Sequence, residues 1–124
     1  MFICLYFYIF KKQFNFFKNI KLNKIKNNLS IHNMYEIKSY TYKQAKKIKV
    51  QVKPSTNKTK KIDVYKNNKK IASIGANGMN DFPTYIKKNG IKYAKTRRRL
   101  YKQRHEKDRH IKWSNGWLAD KLLW

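Results

Sequence analysis

Residues 81–111, DFPTYIKKNGIKYAKTRRRLYKQRHEKDRHI, constrain the fold more than any other stretch, because their spacing predicts one long helix. Asp81 is a good N-cap residue, and Pro83 falls in the first turn, where a missing N–H costs nothing. At 100° per residue, Phe82, Ile86, Tyr93, Leu100 and Tyr101 share one stripe. Lys87, Lys88, Lys92, Lys95, Arg98, Arg99, Lys102 and Arg109 share the opposite arc. One face asks for a core and the other is a row of cations. Gly90 is a weak point, costing about 1 kcal/mol relative to Ala in a helix interior. It lies within the apolar stripe, where it would let another backbone approach closely.

All five arginines of the chain lie in this run. Arg97 and Arg104 break the two-face pattern, because both project along the apolar stripe. A guanidinium there must pair or reach solvent. One reading lays each stem on the core and pairs the head with Asp108, Asp120 or the carboxylate of Trp124. The sharper reading joins Arg97, Tyr101, Arg104 and His105 in an anion pocket for a phosphate.

The charge balance sets the class of partner. The 124 residues hold 31 Lys and Arg against 6 Asp and Glu, a formal +25. Such a domain repels itself, so a polyanionic partner is the natural expectation. Among polyanions nucleic acid comes first, an anionic membrane second and an acidic protein, such as a capsid or virion protein, third, with a membrane partner not expected. The bland alternative is a solvated lysine-rich surface, since 26 of the 31 cations are Lys. One cysteine, Cys4, can make neither an internal disulfide nor a structural zinc site.

Residues 1–33 differ from the rest. Residues 1–10 are apolar but too few to span a bilayer, which needs about 20 in a helix. Lys11 and Lys12 follow the apolar run rather than precede it, and no small-residue cleavage site follows, so a secretory signal is not indicated. The segment contains no Gly, Ala, Pro, Arg, Asp, Glu, Val, Thr or Trp. That is the composition of AT-rich DNA read through, and Met34 is the expected start of a single domain over 34–124. After Met34 stand 25 of the 31 cations and all 6 acids, so the basic character does not depend on the leader.

In chain order, YEIKSY reads as extended, Thr41 as the cap of a short helix over 42–47 with Ala45 inward, and Val50 and Val52 as extended chain ended by Pro54. IDVYK and KKIASI around Asn67-Asn68 form the clearest β signal, a hairpin with a type I′ turn. A two-residue turn pairs Val64 with Ile71 and Ile62 with Ser73, and puts Tyr65, Ala72 and Ile74 on the other face. The hairpin must pack on something, and the long helix is the expected surface. GANGMN breaks the chain before Asp81. At the far end, Ser114 or Asn115 caps a last helix, WLADKLLW, whose Leu118, Leu122 and tryptophans should fold back on the Phe82–Tyr93–Leu100 stripe. The alternative is an exposed anchor for a partner.

The runs KKIDVYKNNKKIASIGANGMNDFPTY and RRRLYKQRHEKD and the LLW end together resemble a set of small basic proteins of giant DNA viruses of algae and amoebae. The pattern is a basic hairpin, a Gly-Ala-x-Gly loop, then Arg97, Tyr101, Arg104 and His105, then LLW. It covers residues 34–124. The resemblance implies a viral source, a place inside an infected host or a virion rather than secretion, and no particular mechanism.

No catalytic motif accompanies this. In HEKDRH the histidines are five apart, whereas one helical face needs three or four, so no metal site is expected. No cofactor or small-molecule substrate is implied, and the protein is expected not to be an enzyme. A remote alternative is a phosphate-processing enzyme using Arg97, Tyr101, Arg104 and His105. The expected fold is α+β, a β-hairpin packed on one long basic amphipathic helix and closed by a short Trp-rich helix. The expected function is sequence-independent DNA binding through Lys69 and Lys70 of the hairpin and the cations of the arc. The competing class is a minor virion or capsid-associated protein.

Overall fold

The computed structural model describes residues 34–124; the leader, and its expected read-through origin, lie outside the described residues. In chain order the elements are α1 (Ser39–Ile48), β1 (Gln51–Pro54), β2 (Lys60–Lys66), β3 (Lys69–Ala76), α2 (Phe82–Asn89), α3 (Ile91–Arg104) and α4 (Asn115–Leu122). The class is α+β, with an antiparallel sheet of order β1-β2-β3.

Helix α1 starts two residues before the expected cap. Lys38 holds the N-cap position in extended conformation, and its carbonyl accepts from the Thr41 N–H at 3.0 Å. Thr41 is therefore a buried first-turn residue rather than a cap, and Ala45 faces inward as expected. Lys49 ends the helix in the left-handed region at φ 57°.

The turn at Asn67-Asn68 has positive φ at both residues, 51° and 61°, as a type I′ hairpin requires. The register beyond it differs from the expectation. Tyr65 pairs with Lys70, but Val64 pairs with Ala72 and Ile62 with Ile74. Ile71 is the extra residue of a β-bulge, exposed to solvent. The bulge restores phase: Ile62, Val64, Ala72 and Ile74 now share one buried face instead of being split over two. Val52 joins them through its pairing with Val64, and Pro54 sits harmlessly on the edge strand.

The long helix is in fact two. Gly90 has φ 83° and ψ 166°, a conformation essentially reserved for glycine, and it separates α2 from α3. Asp81 caps α2 as expected, accepting from the Thr84 N–H, with Pro83 in the first turn. Helix α3 stops at Arg104, and the chain turns from there to Ser114. The break also dissolves the apolar stripe. Phe82 is buried, but Ile86, Tyr93 and Leu100 are 36%, 45% and 38% exposed.

The core forms elsewhere. Ala45, Val50, Val52, Ile62, Val64, Ala72, Ile74, Leu118, Ala119, Leu122 and Leu123 make one buried cluster. The sheet thus packs on α1 and α4, not on the expected long helix, and Tyr101 of α3 touches only its margin. The Leu-Leu end is core rather than anchor. Trp124 reaches the long-helix region, stacking on Tyr101 at 4.4 Å, and the Leu123 carbonyl accepts from the Phe82 N–H at 3.0 Å. Ser114 caps α4 by accepting from the Trp117 N–H.

The break at Gly90 has a sign test. In a continuous helix, G90A would stabilise by about 1 kcal/mol. At the observed backbone angles it is expected to destabilise by about 1–3 kcal/mol, although open space surrounds the position. Urea denaturation of the two proteins reads the sign directly.

Candidate functional site

Arg97, Tyr101, Arg104 and His105 line one cavity of about 310 Å³. Their spacing of four, seven and eight residues puts them on one flank of α3. Residues 73–76 of β3 and residues 79–81 of the loop form the facing wall, and Tyr85, Gly116, Ala119, Leu123 and Trp124 complete the lining.

Two glycines let these walls meet. Gly75, at φ 75°, lies against Leu123; an added Cβ there would stand 2.7 Å from Leu123 Cδ1 and 3.1 Å from Lys61 Cδ. Gly116 lies under the Asp108 carboxylate, which a Cβ would strike.

At the base of the loop, Asp81 is buried and fully engaged. Lys61 Nζ donates to its Oδ2 at 2.8 Å, and Tyr35 donates to the same oxygen at 2.5 Å. The Thr84 N–H and hydroxyl donate to Oδ1 at 3.1 and 2.6 Å. Burial pushes the Asp81 carboxyl up, but the hydrogen bonds from Lys61, Thr84 and Tyr35 outweigh it and hold it below its ordinary range. Burial, followed by the Asp81 contact, pushes the Tyr35 phenol far up.

One side of the cavity is aromatic. Tyr101 lies between His105 and Trp124, each 4.4 Å away by ring centroid. Burial, with the charges of Asp120 and Asp108 adding to it, pushes the Tyr101 phenol up to about 12. It keeps its proton at neutral pH and can donate but not act as a base. Arg97 lays its guanidinium 5.4 Å over the Tyr85 ring.

The salt bridges expected for Arg97 and Arg104 are not formed. Asp108 faces His105 Nδ1 at 3.5 Å, Asp120 faces Lys102 at 3.8 Å, and the Trp124 backbone oxygen accepts from Tyr40 at 3.3 Å. The Nε of Arg97 is buried without a hydrogen-bond partner among the described residues. A buried unpaired donor is costly and calls for an explanation. Arg104 is exposed.

The expected cationic arc is thinned. Arg98 is withdrawn from solvent, its guanidinium carbon 3.3 Å above the Phe82 ring centroid and its Nη2 donating to Tyr40 at 3.1 Å. Arg109 lies beyond α3 and pairs with Glu106 through both Nε and Nη2. Lys102 leans toward Asp120, and Lys70 pairs with Asp63 at 2.9 Å. Lys69 is exposed at the hairpin end. Lys87, Lys88, Lys92, Lys95 and Arg99 are exposed and pair with no acid among the described residues.

Lys60, Lys61, Tyr85 and Trp124 belong to the cavity, yet their separation in sequence hid them. The one local hint was Gly75, whose positive φ lets β3 close over the tail. Among the described residues no group of three or more His, Cys, Asp or Glu could hold a metal ion. No protein-family model, no curated protein and no solved structure matches this chain.

Asp63 parallels Asp81. Burial raises its carboxyl, but Ser73, Ser55, Lys70 and the Thr56 N–H outweigh burial and hold it well below 3.8. Both carboxyls are depressed on folding, so their contribution is fully present above the unfolded pKa and is lost as pH falls through the folded one. The Tm is expected to hold down to about pH 4 and to fall below it, more shallowly in D63N. Thermal melts across that range check this; identical slopes for the two proteins would contradict it.

Proposed function

We propose that this protein binds nucleic acid without reading its sequence, through the exposed cations of α2 and α3. One observation carries the reading. Residues 82–105 hold nine Lys and Arg and no Asp or Glu. Four of the six carboxylates, those of Glu36, Asp63, Asp81 and Glu106, lie beside cations elsewhere; Asp108 faces His105, and Asp120 lies beside Lys102 near the end of this segment. Apart from Lys102 beside Asp120, the cations of α2 and α3 therefore have no internal counterion, and a polyanion is their complement.

Lys92, Lys95 and Arg99, spaced by three and four, stand along one side of α3, and Lys87 and Lys88 extend the charge onto α2. Point charges on a helix surface contact phosphates and position a strand without distinguishing bases. The binding is non-catalytic in this reading, and its place is wherever the polyanion is, which the viral resemblance puts inside an infected host cell or a virion. No described helix is long and apolar enough to cross a membrane. The reading of a virion protein docked by its tryptophan tail lacks an exposed tail, since Leu118, Leu122 and Leu123 are buried.

Fluorescence anisotropy of the full chain on random-sequence duplex DNA tests this. Five phosphate contacts predict a log–log salt slope of about −4.5, from about −0.9 per contact. The triple variant K92Q/K95Q/R99Q is expected to flatten the slope by about 2.7. A slope near zero in the parent protein would sink the reading.

A further inference from the structure

The cavity beside α3 holds more positive charge than its neighbours neutralise. Lys61 is matched by Asp81, and His105 faces Asp108. Arg97, Arg104 and Lys60 also line the cavity, and none pairs with an acid among the described residues. The buried Arg97 Nε has no partner among the described residues. The loop GANGMN, with Gly75 at its start, forms the facing wall of this cavity of about 310 Å³.

From this we infer that the cavity binds a phosphate monoester, the terminal phosphate of a nucleic-acid strand or of a free nucleotide. A terminal phosphate carries close to two charges at neutral pH, where an internal diester carries one. A guanidinium fork offers such a group two parallel hydrogen bonds, and the Tyr101 hydroxyl keeps a proton to donate. The aromatic wall adds no base selectivity. Tyr101 already stacks on His105 and Trp124, and Tyr85 carries Arg97 on its face, so neither tyrosine offers a free stacking face. The pocket reads charge and leaves the base unread.

For strand ends, this inference rests on the nucleic-acid reading of α2 and α3. Those helices would hold the backbone while the cavity, on another flank of α3, receives the end. It adds what the exposed arc cannot supply, a preference for one end chemistry.

The test compares two single-stranded oligonucleotides of one sequence, with a 5′-phosphate or a 5′-hydroxyl, binding to the full chain. The phosphorylated strand is expected to bind about tenfold more tightly. R104Q, a change at an exposed side chain that pairs with no acid among the described residues, is expected to abolish that difference, while the hydroxyl strand loses no more than the single phosphate contact one cation of α3 can supply. K92Q/K95Q/R99Q should weaken both strands and keep the difference. A nucleoside 5′-monophosphate and inorganic phosphate are the competitors, read by the fluorescence of the chain, whose Trp124 lines the cavity. If the nucleotide binds and R104Q prevents it while strand ends show no preference, the source is a free phosphate ester and the chemistry stands. If neither oligonucleotide binds, the nucleic-acid reading fails, and the nucleotide arm alone decides the cavity. Equal affinity for both ends together with no response to either competitor overturns the inference.

Discussion

Everything around the cavity hangs on the Asp81 carboxylate. It is a buried anion in a strongly cationic chain, and four donors from three regions converge on it. Lys61 reaches it from β2, Tyr35 from the segment before α1, and Thr84 from the first turn of α2. The next residue along, Phe82, donates its N–H to the Leu123 carbonyl at 3.0 Å. Asp81 thus caps a helix and neutralises a buried lysine, and its neighbour Phe82 registers the C-terminal turn against the loop. Removing one partner from such a pair is strongly destabilising, at about 3–5 kcal/mol, because the other charge stays buried alone.

Acid scarcity shapes the surface as well as the core. With six carboxylates among 31 cations, each acid that serves a buried or local partner is lost to the surface. Asp63 is held by two serines, Thr56 and Lys70, and Glu106 by Arg109 and His110. Helices α2 and α3 are what remains, and their charge is unbalanced for that reason. Arginine adapts to the same shortage by using aromatic faces instead of carboxylates. Arg98 lies on Phe82 and Arg97 on Tyr85, each trading an ion pair for a ring quadrupole.

Two one-residue events decide which faces meet. The bulge at Ile71 shifts β3 by one position and gathers four apolar side chains on one face. The glycine conformation at Gly90 breaks a helix whose polar and apolar positions read as continuous. In both cases the local pattern is compatible with two backbones. Burial of Ile74 and Leu122 in a common core selects between them, because only the bulged, broken chain brings the sheet against α1 and α4.

Local rules legible in the residues were enough for the α+β class, the Asn67-Asn68 turn with its two positive φ angles, the Asp81 and Ser114 caps, the inward Ala45 and the basic character of the helical region. Each depends on atoms a few bonds apart. The sequence also brought Arg97, Tyr101, Arg104 and His105 together, since helical spacing alone puts them on one flank. It could not supply the opposite wall, the missing salt bridges or the retreat of Arg98 from solvent. Those follow from which distant groups compete for the same carboxylates and aromatic rings, and only the folded chain brings the competitors within reach. The tertiary structure likewise decided that the Leu-Leu end is core, because the apolar stripe it was expected to cover does not survive the turn at Gly90.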